Sequence, residues 1–248
     1  MRERKIHTTG LSNEENISGE LKIPPRKPAW NIWQVLFILL LINILEYSLG
    51  WLDTPKDLDT IQGVIRFVSV GFGEGLIYLV VTLLFLRLLK RPVSELGFVS
   101  PKFRFIVLGL FTGAFLFVSV GLLGSFLAKL IGIPSPQSFA LAVTGTDNLW
   151  EFVLLLVLGG IVAPLKEEIL FRSLMYPPLR EGYGRGKGIL LTGMFFAALH
   201  LDLLRFIPLF IGGVVLTWLY ERSSSLWPSL IAHGTWNVLM AVALWIQR

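Results

Sequence analysis

With 248 residues, 54% of them hydrophobic and only 16% charged, the chain has the length of one or two soluble domains but is too apolar to form them. A formal charge of +5 does not point to nucleic acid, because the basic residues lie in short segments between apolar runs rather than in one stripe. The absence of cysteine excludes disulfides, thiolate metal sites and a cysteine nucleophile.

Residues 1–29 are polar, carry ten charges and end in a Pro-containing basic run, which predicts a flexible cytoplasmic tail rather than a signal peptide. Apolar runs then follow at about 30–52, 62–86, 105–130, 150–176, 188–204, 206–221 and 225–246. A bilayer crossing needs roughly 20 apolar residues, so these predict an all-α, polytopic bundle of seven membrane helices, with six to eight as the range. Residues 30–149 form its N-terminal helices and 150–248 the part that carries the chemistry. Alternate connections hold fifteen Lys and Arg on one side (six in the tail, five in 87–104, three in 178–187 and Arg222) against Lys56, Lys129, Arg205 and Arg248 on the other. Basic residues stay on the cytoplasmic side, so the N-terminus is expected there and the C-terminus outside, in the plasma membrane of a prokaryote. Trp30, Trp33, Trp51, Trp150, Trp227 and Trp245 fall near span ends, where an amphipathic ring suits the headgroup level. Gly109 and Gly113 form a GxxxG, which favours close helix packing.

Ionisable side chains within a membrane cost several kcal/mol and need a partner, a water cavity or a function. They concentrate in the second half: Lys166, Glu167, Glu168 and Arg172 within one apolar run, His200 at the end of Phe-Phe-Ala-Ala-Leu-His, and His233 with Asn237. Residues four apart share a helix face, so Glu168 can pair with Arg172, while Glu167 points elsewhere and is free to act as a base or ligand. The same spacing puts Phe196 one turn before His200 and His233 one turn before Asn237. Counted from the expected cytoplasmic helix ends at 1.5 Å per residue, Glu167, His200 and His233 lie roughly 15, 18 and 12 Å deep, which brings them to similar levels. Pro164 is expected to kink the helix just before Glu167. Glu46, Arg66 and Glu74 read mainly as interfacial groups or as an interhelical pair.

These residues resemble a known family, the CPBP intramembrane proteases, which include CAAX-processing endopeptidases and bacterial Abi or bacteriocin-processing proteins. Its pattern of EExxxR, FxxxH and HxxxN on successive helices matches Glu167-Glu168-Ile-Leu-Phe-Arg172, Phe196-Ala-Ala-Leu-His200 and His233-Gly-Thr-Trp-Asn237, within about residues 150–241. The resemblance implies hydrolysis of a peptide bond in a membrane-associated peptide or protein, CAAX-type and prenylated or not. Glu167 and His200 would activate water, His233 and Asn237 would stabilise the oxyanion, and Glu168, Arg172 and Phe196 would support them. Members are often called metalloproteases, and Glu167, His200 and His233 are the ligands a zinc ion would take. No H-E-x-x-H is present, and the reading favoured is metal-free. The alternatives are a non-catalytic immunity or maturation scaffold, and a proton-coupled transporter relaying through Glu167 and His200.

Overall fold

The computed structural model describes residues 28–51, 57–132 and 135–248; the expected tail, save its last two residues, and Lys56 lie outside them. Every regular element among the described residues is helical. Helix α1 (Ile32–Ser48) starts at a capping box, in which Asn31 and Gln34 exchange side-chain and backbone hydrogen bonds. Thr60, Asn148 and Ser225 cap α2 (Ile61–Leu88), α5 (Leu149–Val157) and α9 (Leu226–Gln247). Between them lie α3 (Phe103–Ile131), α4 (Ser138–Gly145), α6 (Ala163–Glu168), α7 (Tyr176–Ala198) and α8 (Phe206–Ser223).

Among the described residues, four stretches are long and apolar enough to cross a membrane: Ile61–Leu88, Phe103–Leu130, Leu149–Ala198 and Leu226–Gln247. The seven expected spans are therefore not reproduced one for one. The runs at 150–176 and 188–204 fall in the stretch Leu149–Ala198, which breaks into two helices at Gly184, whose φ of +78° a side chain would resist; α1 has only 17 residues. Beyond that bend Gly188 lies against the chain it has just left, and a Cβ there would come within 2.9 Å of the Arg180 Cα.

Two wide π turns, Leu158–Val162 and Ile169–Met175, bracket α6. Their cause is legible in the prolines. At the first, the Ala163 N–H bonds the Leu158 carbonyl, so Gly159 loses its usual partner, and Pro164 has no N–H to replace it. The orphaned Gly159 carbonyl accepts from Asn237 Nδ2 of α9 at 2.9 Å. At the second, Pro178 deprives the Leu174 carbonyl in the same way, and Trp30 Nε1 donates to it at 2.8 Å. Trp30 is consequently buried, 5% exposed and edge-on to Phe85. The largest buried cluster surrounds this second turn, with Ile169, Phe171, Leu174 and Met175 packed between Trp30 and Phe196.

Helix α9 is held from two sides by contacts that leave no room for a side chain. On α3, a Cβ at Gly113 would sit 2.4 Å from the Ala232 carbonyl oxygen, and one at Gly109 would sit 2.7 Å from that of Pro228. On the first π turn, a Cβ at Gly234 would meet the Gly160 oxygen at 2.4 Å. Gly234→Ala should therefore push α9 off the turn, at about 1–3 kcal/mol of overpacking, and lower the thermal midpoint in detergent. Gly182→Ala, whose Cβ meets nothing within 4 Å, should leave the midpoint unchanged; equal midpoints for both would mean the α9 contact tolerates a methyl.

Candidate active site

The wide turn after α6 brings Glu168 and Arg172 inside together. Both side chains are 0% exposed, and Arg172 Nη1 lies 3.0 Å from Glu168 Oε1. The guanidinium also sits 5.0 Å from the Phe196 ring centroid, so an aromatic face and a carboxylate share the compensation of one buried charge. Glu168 has a second partner in His233, whose Nδ1 lies 2.9 Å from the same Oε1. With Nδ1–H donated there, His233 Nε2 is turned toward Glu167 Oε2, 3.7 Å away.

Glu167 differs from its neighbour in surroundings as well as direction. Its side chain keeps 23% exposure, yet Oε2 is buried and has no hydrogen-bond partner among the described residues. A buried acceptor left open beside an imidazole is a place for water or substrate. At 3.7 Å the two atoms are too far apart to bond each other directly, but one water oxygen can lie at hydrogen-bond distance from both.

His200 reaches the same neighbourhood through Phe196. Its ring centroid is 4.8 Å from that of Phe196, and the His233 ring stands 5.8 Å from it on an edge. Nδ1 donates to the Phe196 carbonyl at 2.7 Å, which leaves Nε2 as the free acceptor. The depth expected for His200 rests on a helix that continues past it, and the structure differs. Helix α7 ends at Ala198, and His200 and Leu201 close tighter bonds to the carbonyls of Ala197 and Ala198. Leu201 follows at a φ of +51°. His200 thus lines a cavity of about 380 Å³ with Ser135, Pro136, Asp202, Leu203 and Arg205. Arg205 pairs with Asp202 and donates to the Ser135 carbonyl at 2.7 Å. Burial works against the Asp202 carboxylate, but the Arg205 bonds outweigh it and hold its pKa below the ordinary value.

Asn237 is on the same face of α9 as His233, and one amide N–H is committed to Gly159. A carboxamide has two, so one remains to donate. Of the ionisable residues in the first two helices, Glu74 pairs with Lys166, while Arg66 is exposed. The contact of His233 with Glu168 is absent from the sequence reading, since nothing in the spacing of two distant motifs sets their helices side by side. Gly159 is equally absent, although Gly-Gly-Ile-Val-Ala-Pro carried a signal: proline in a membrane helix strands carbonyls that something must satisfy. As for a metal, no three His, Asp or Glu side chains among the described residues are grouped closely enough to hold an ion.

Residues 149–239 match the family described as "Type II CAAX prenyl endopeptidase Rce1-like". A Bacillus subtilis (strain 168) protein named "Putative membrane peptidase YdiL" is 25% identical over 84% of this chain and 88% of its own length. An "Uncharacterized 24.3 kDa protein" of Escherichia coli is 28% identical over 68% of this chain and 76% of its own. No solved structure gives a significant match. The matched segment takes in all three motifs, Glu167 to Arg172, Phe196 to His200 and His233 to Asn237. Residues 149–239 thus match an Rce1-like family model, consistent with the CPBP family that the motifs resemble, in an all-α membrane protein.

Proposed function

We propose that the chain is an intramembrane endopeptidase that hydrolyses a peptide bond of a membrane-associated peptide or protein, with Glu167 and His200 activating the water. The observation that carries this reading is the buried, unpartnered Glu167 Oε2 facing His233 Nε2 at 3.7 Å. Glu167 takes one proton of the attacking water and passes it to the leaving nitrogen as the C–N bond breaks, while His200 Nε2, an acceptor because Nδ1–H is bonded to the Phe196 carbonyl, orients the water and takes up its second proton. Charge on the tetrahedral oxygen is met by the His233 imidazole and by the second N–H of Asn237. The Glu168–Arg172 pair holds the imidazole rather than touching the substrate.

Water activation in this scheme requires no metal. Cleavage of a membrane peptide by the purified protein should survive a strong chelator, and added zinc should at most inhibit. Activity abolished by the chelator and restored stoichiometrically by zinc would replace the scheme with a metal-centred one.

The orientation proposed is N-terminus inside, and the absence of cysteine makes it simple to test. A membrane-impermeant thiol reagent applied to intact cells should label the exposed positions Asp59→Cys and Asp147→Cys and spare Ser100→Cys and Lys187→Cys. The reverse pattern would turn the molecule over.

A further inference from the structure

The glycine contact of α3 with α9 stops short of the helix starts. At Gly109 a Cβ would lie 3.4 Å from Ile231 Cγ2, but one turn earlier on the same face of α3 stands Ile106. There a groove of about 440 Å³ opens, lined by Phe98, Ser100, Pro101, Ile106, Trp227 and Ile231, a volume within the range of small-molecule sites. Its far wall is fastened in place. Leu226 N–H donates to the Gly97 carbonyl at 2.8 Å, Ser225 Oγ to that of Val99 at 2.6 Å and Ser173 Oγ to that of Leu96 at 2.5 Å. The Phe98 ring meets Trp227 edge-on at 5.7 Å. The groove is therefore formed before anything enters it.

Two features specify the occupant. None of the lining residues is charged, so what fills the groove is apolar. Immediately after Pro101 the chain continues with Lys102, Phe103 and Arg104, all exposed, and the acid nearest to them in sequence, Glu95, is already paired with Arg91 at 2.7 Å. Hydrocarbon inside and an anion at the mouth is the make-up of an anionic phospholipid. A neutral lipid would leave the two cations without a counter-charge, and a soluble anion would leave the apolar lining uncovered. Ile231 and His233 are two residues apart, about 200° around the helix, so the groove lies across α9 from the contact of His233 with Glu168.

We infer that this groove is a site for one anionic phospholipid, with an acyl chain against Phe98, Trp227, Ile106 and Ile231 and the phosphate held by Lys102 and Arg104. In the orientation proposed above, this end faces the cytoplasmic leaflet, where anionic lipids concentrate and basic pockets between membrane helices take their headgroups. The bound lipid ties the start of α3 to the start of α9, the helix that carries His233 and Asn237, without entering the proposed active site.

The test uses the full-length protein in a neutral detergent, with dioleoyl phosphatidylglycerol, dioleoyl phosphatidylcholine or glycerol 3-phosphate added. It reads the thermal midpoint and the lipid retained in native mass spectrometry. Phosphatidylglycerol should be retained as one molecule and raise the midpoint at least about 2 °C above phosphatidylcholine, with no gain from glycerol 3-phosphate. Lys102→Gln with Arg104→Gln should erase that advantage; both positions are exposed, so the midpoint without lipid should stay near the unaltered protein's. Lys187→Gln, at an exposed lysine outside the groove, should keep the advantage. Ile106→Trp fills the groove and should erase it; if that variant folds poorly, Ser100→Trp at the exposed rim replaces it. Equal gains from the two lipids, or a gain from glycerol 3-phosphate as large as that from phosphatidylglycerol, would overturn the site. So would an advantage that survives the double substitution or the filled groove, or one lost equally in Lys187→Gln. None of these outcomes bears on the endopeptidase reading, because no cleavage is measured.

Discussion

Glu167→Gln should abolish most of the activity while leaving the protein folded. The substitution keeps the side chain's shape and one acceptor oxygen but removes the base, and positioned proton transfer contributes roughly 10²–10⁴-fold to such a reaction. Because Glu167 makes no hydrogen bond through Oε2 and its side chain keeps 23% exposure, little folded-state stability depends on its charge. Cleavage rate and thermal midpoint measured on the same preparation should therefore separate, the first falling by at least about a hundredfold and the second staying near the unaltered protein's. A variant that retains activity would remove Glu167 from the chemistry.

Glu168→Gln should show the opposite balance. Its carboxylate is the shared partner of Arg172 at 3.0 Å and His233 at 2.9 Å, and Arg172 is fully buried. Removing one partner of a buried ion pair costs about 3–5 kcal/mol, since the other charge is left uncompensated. Yield and thermal midpoint should fall, with activity lost as a consequence of a displaced His233. Replacing the pair together, Glu168→Leu with Arg172→Leu, should recover part of the stability by removing both charges. Recovery should stay incomplete, because His233 Nδ1 then has no acceptor. Normal stability with no activity in Glu168→Gln, alongside an active Glu167→Gln, would exchange the roles of the two glutamates.

The sequence carried what depends on short-range periodicity. Four-residue spacing is a property of any helix, so the facing of Glu168 with Arg172 and of Phe196 with His200 could be read directly, and both contacts occur. The GxxxG of Gly109 and Gly113 likewise marks a close approach, here to α9. What depends on how helices meet was out of reach. No local pattern places His233 against Glu168, or Lys166 against Glu74, because those contacts are fixed by tertiary packing between segments up to 92 residues apart. Helix ends were out of reach for a related reason. Hydropathy sees apolar runs, but the break at Gly184 follows from backbone conformation, and the early end of α7 before His200 follows from tightened terminal bonds. Pro164 was expected to kink its helix; its effect is instead a wide turn that strands the Gly159 carbonyl for Asn237.

The central claim is direct attack of water, activated by Glu167, on a peptide bond. Cleavage of a membrane peptide by the purified full-length protein in ¹⁸O-labelled water, with hydroxylamine present, tests it most directly by mass spectrometry of the products. The account predicts a new C-terminal carboxylate carrying one ¹⁸O, a new free amine, and no hydroxamate, with neither product formed by Glu167→Gln. A hydroxamate at the new C-terminus would reveal an acyl-enzyme and make a side chain the nucleophile, and that result would contradict the account.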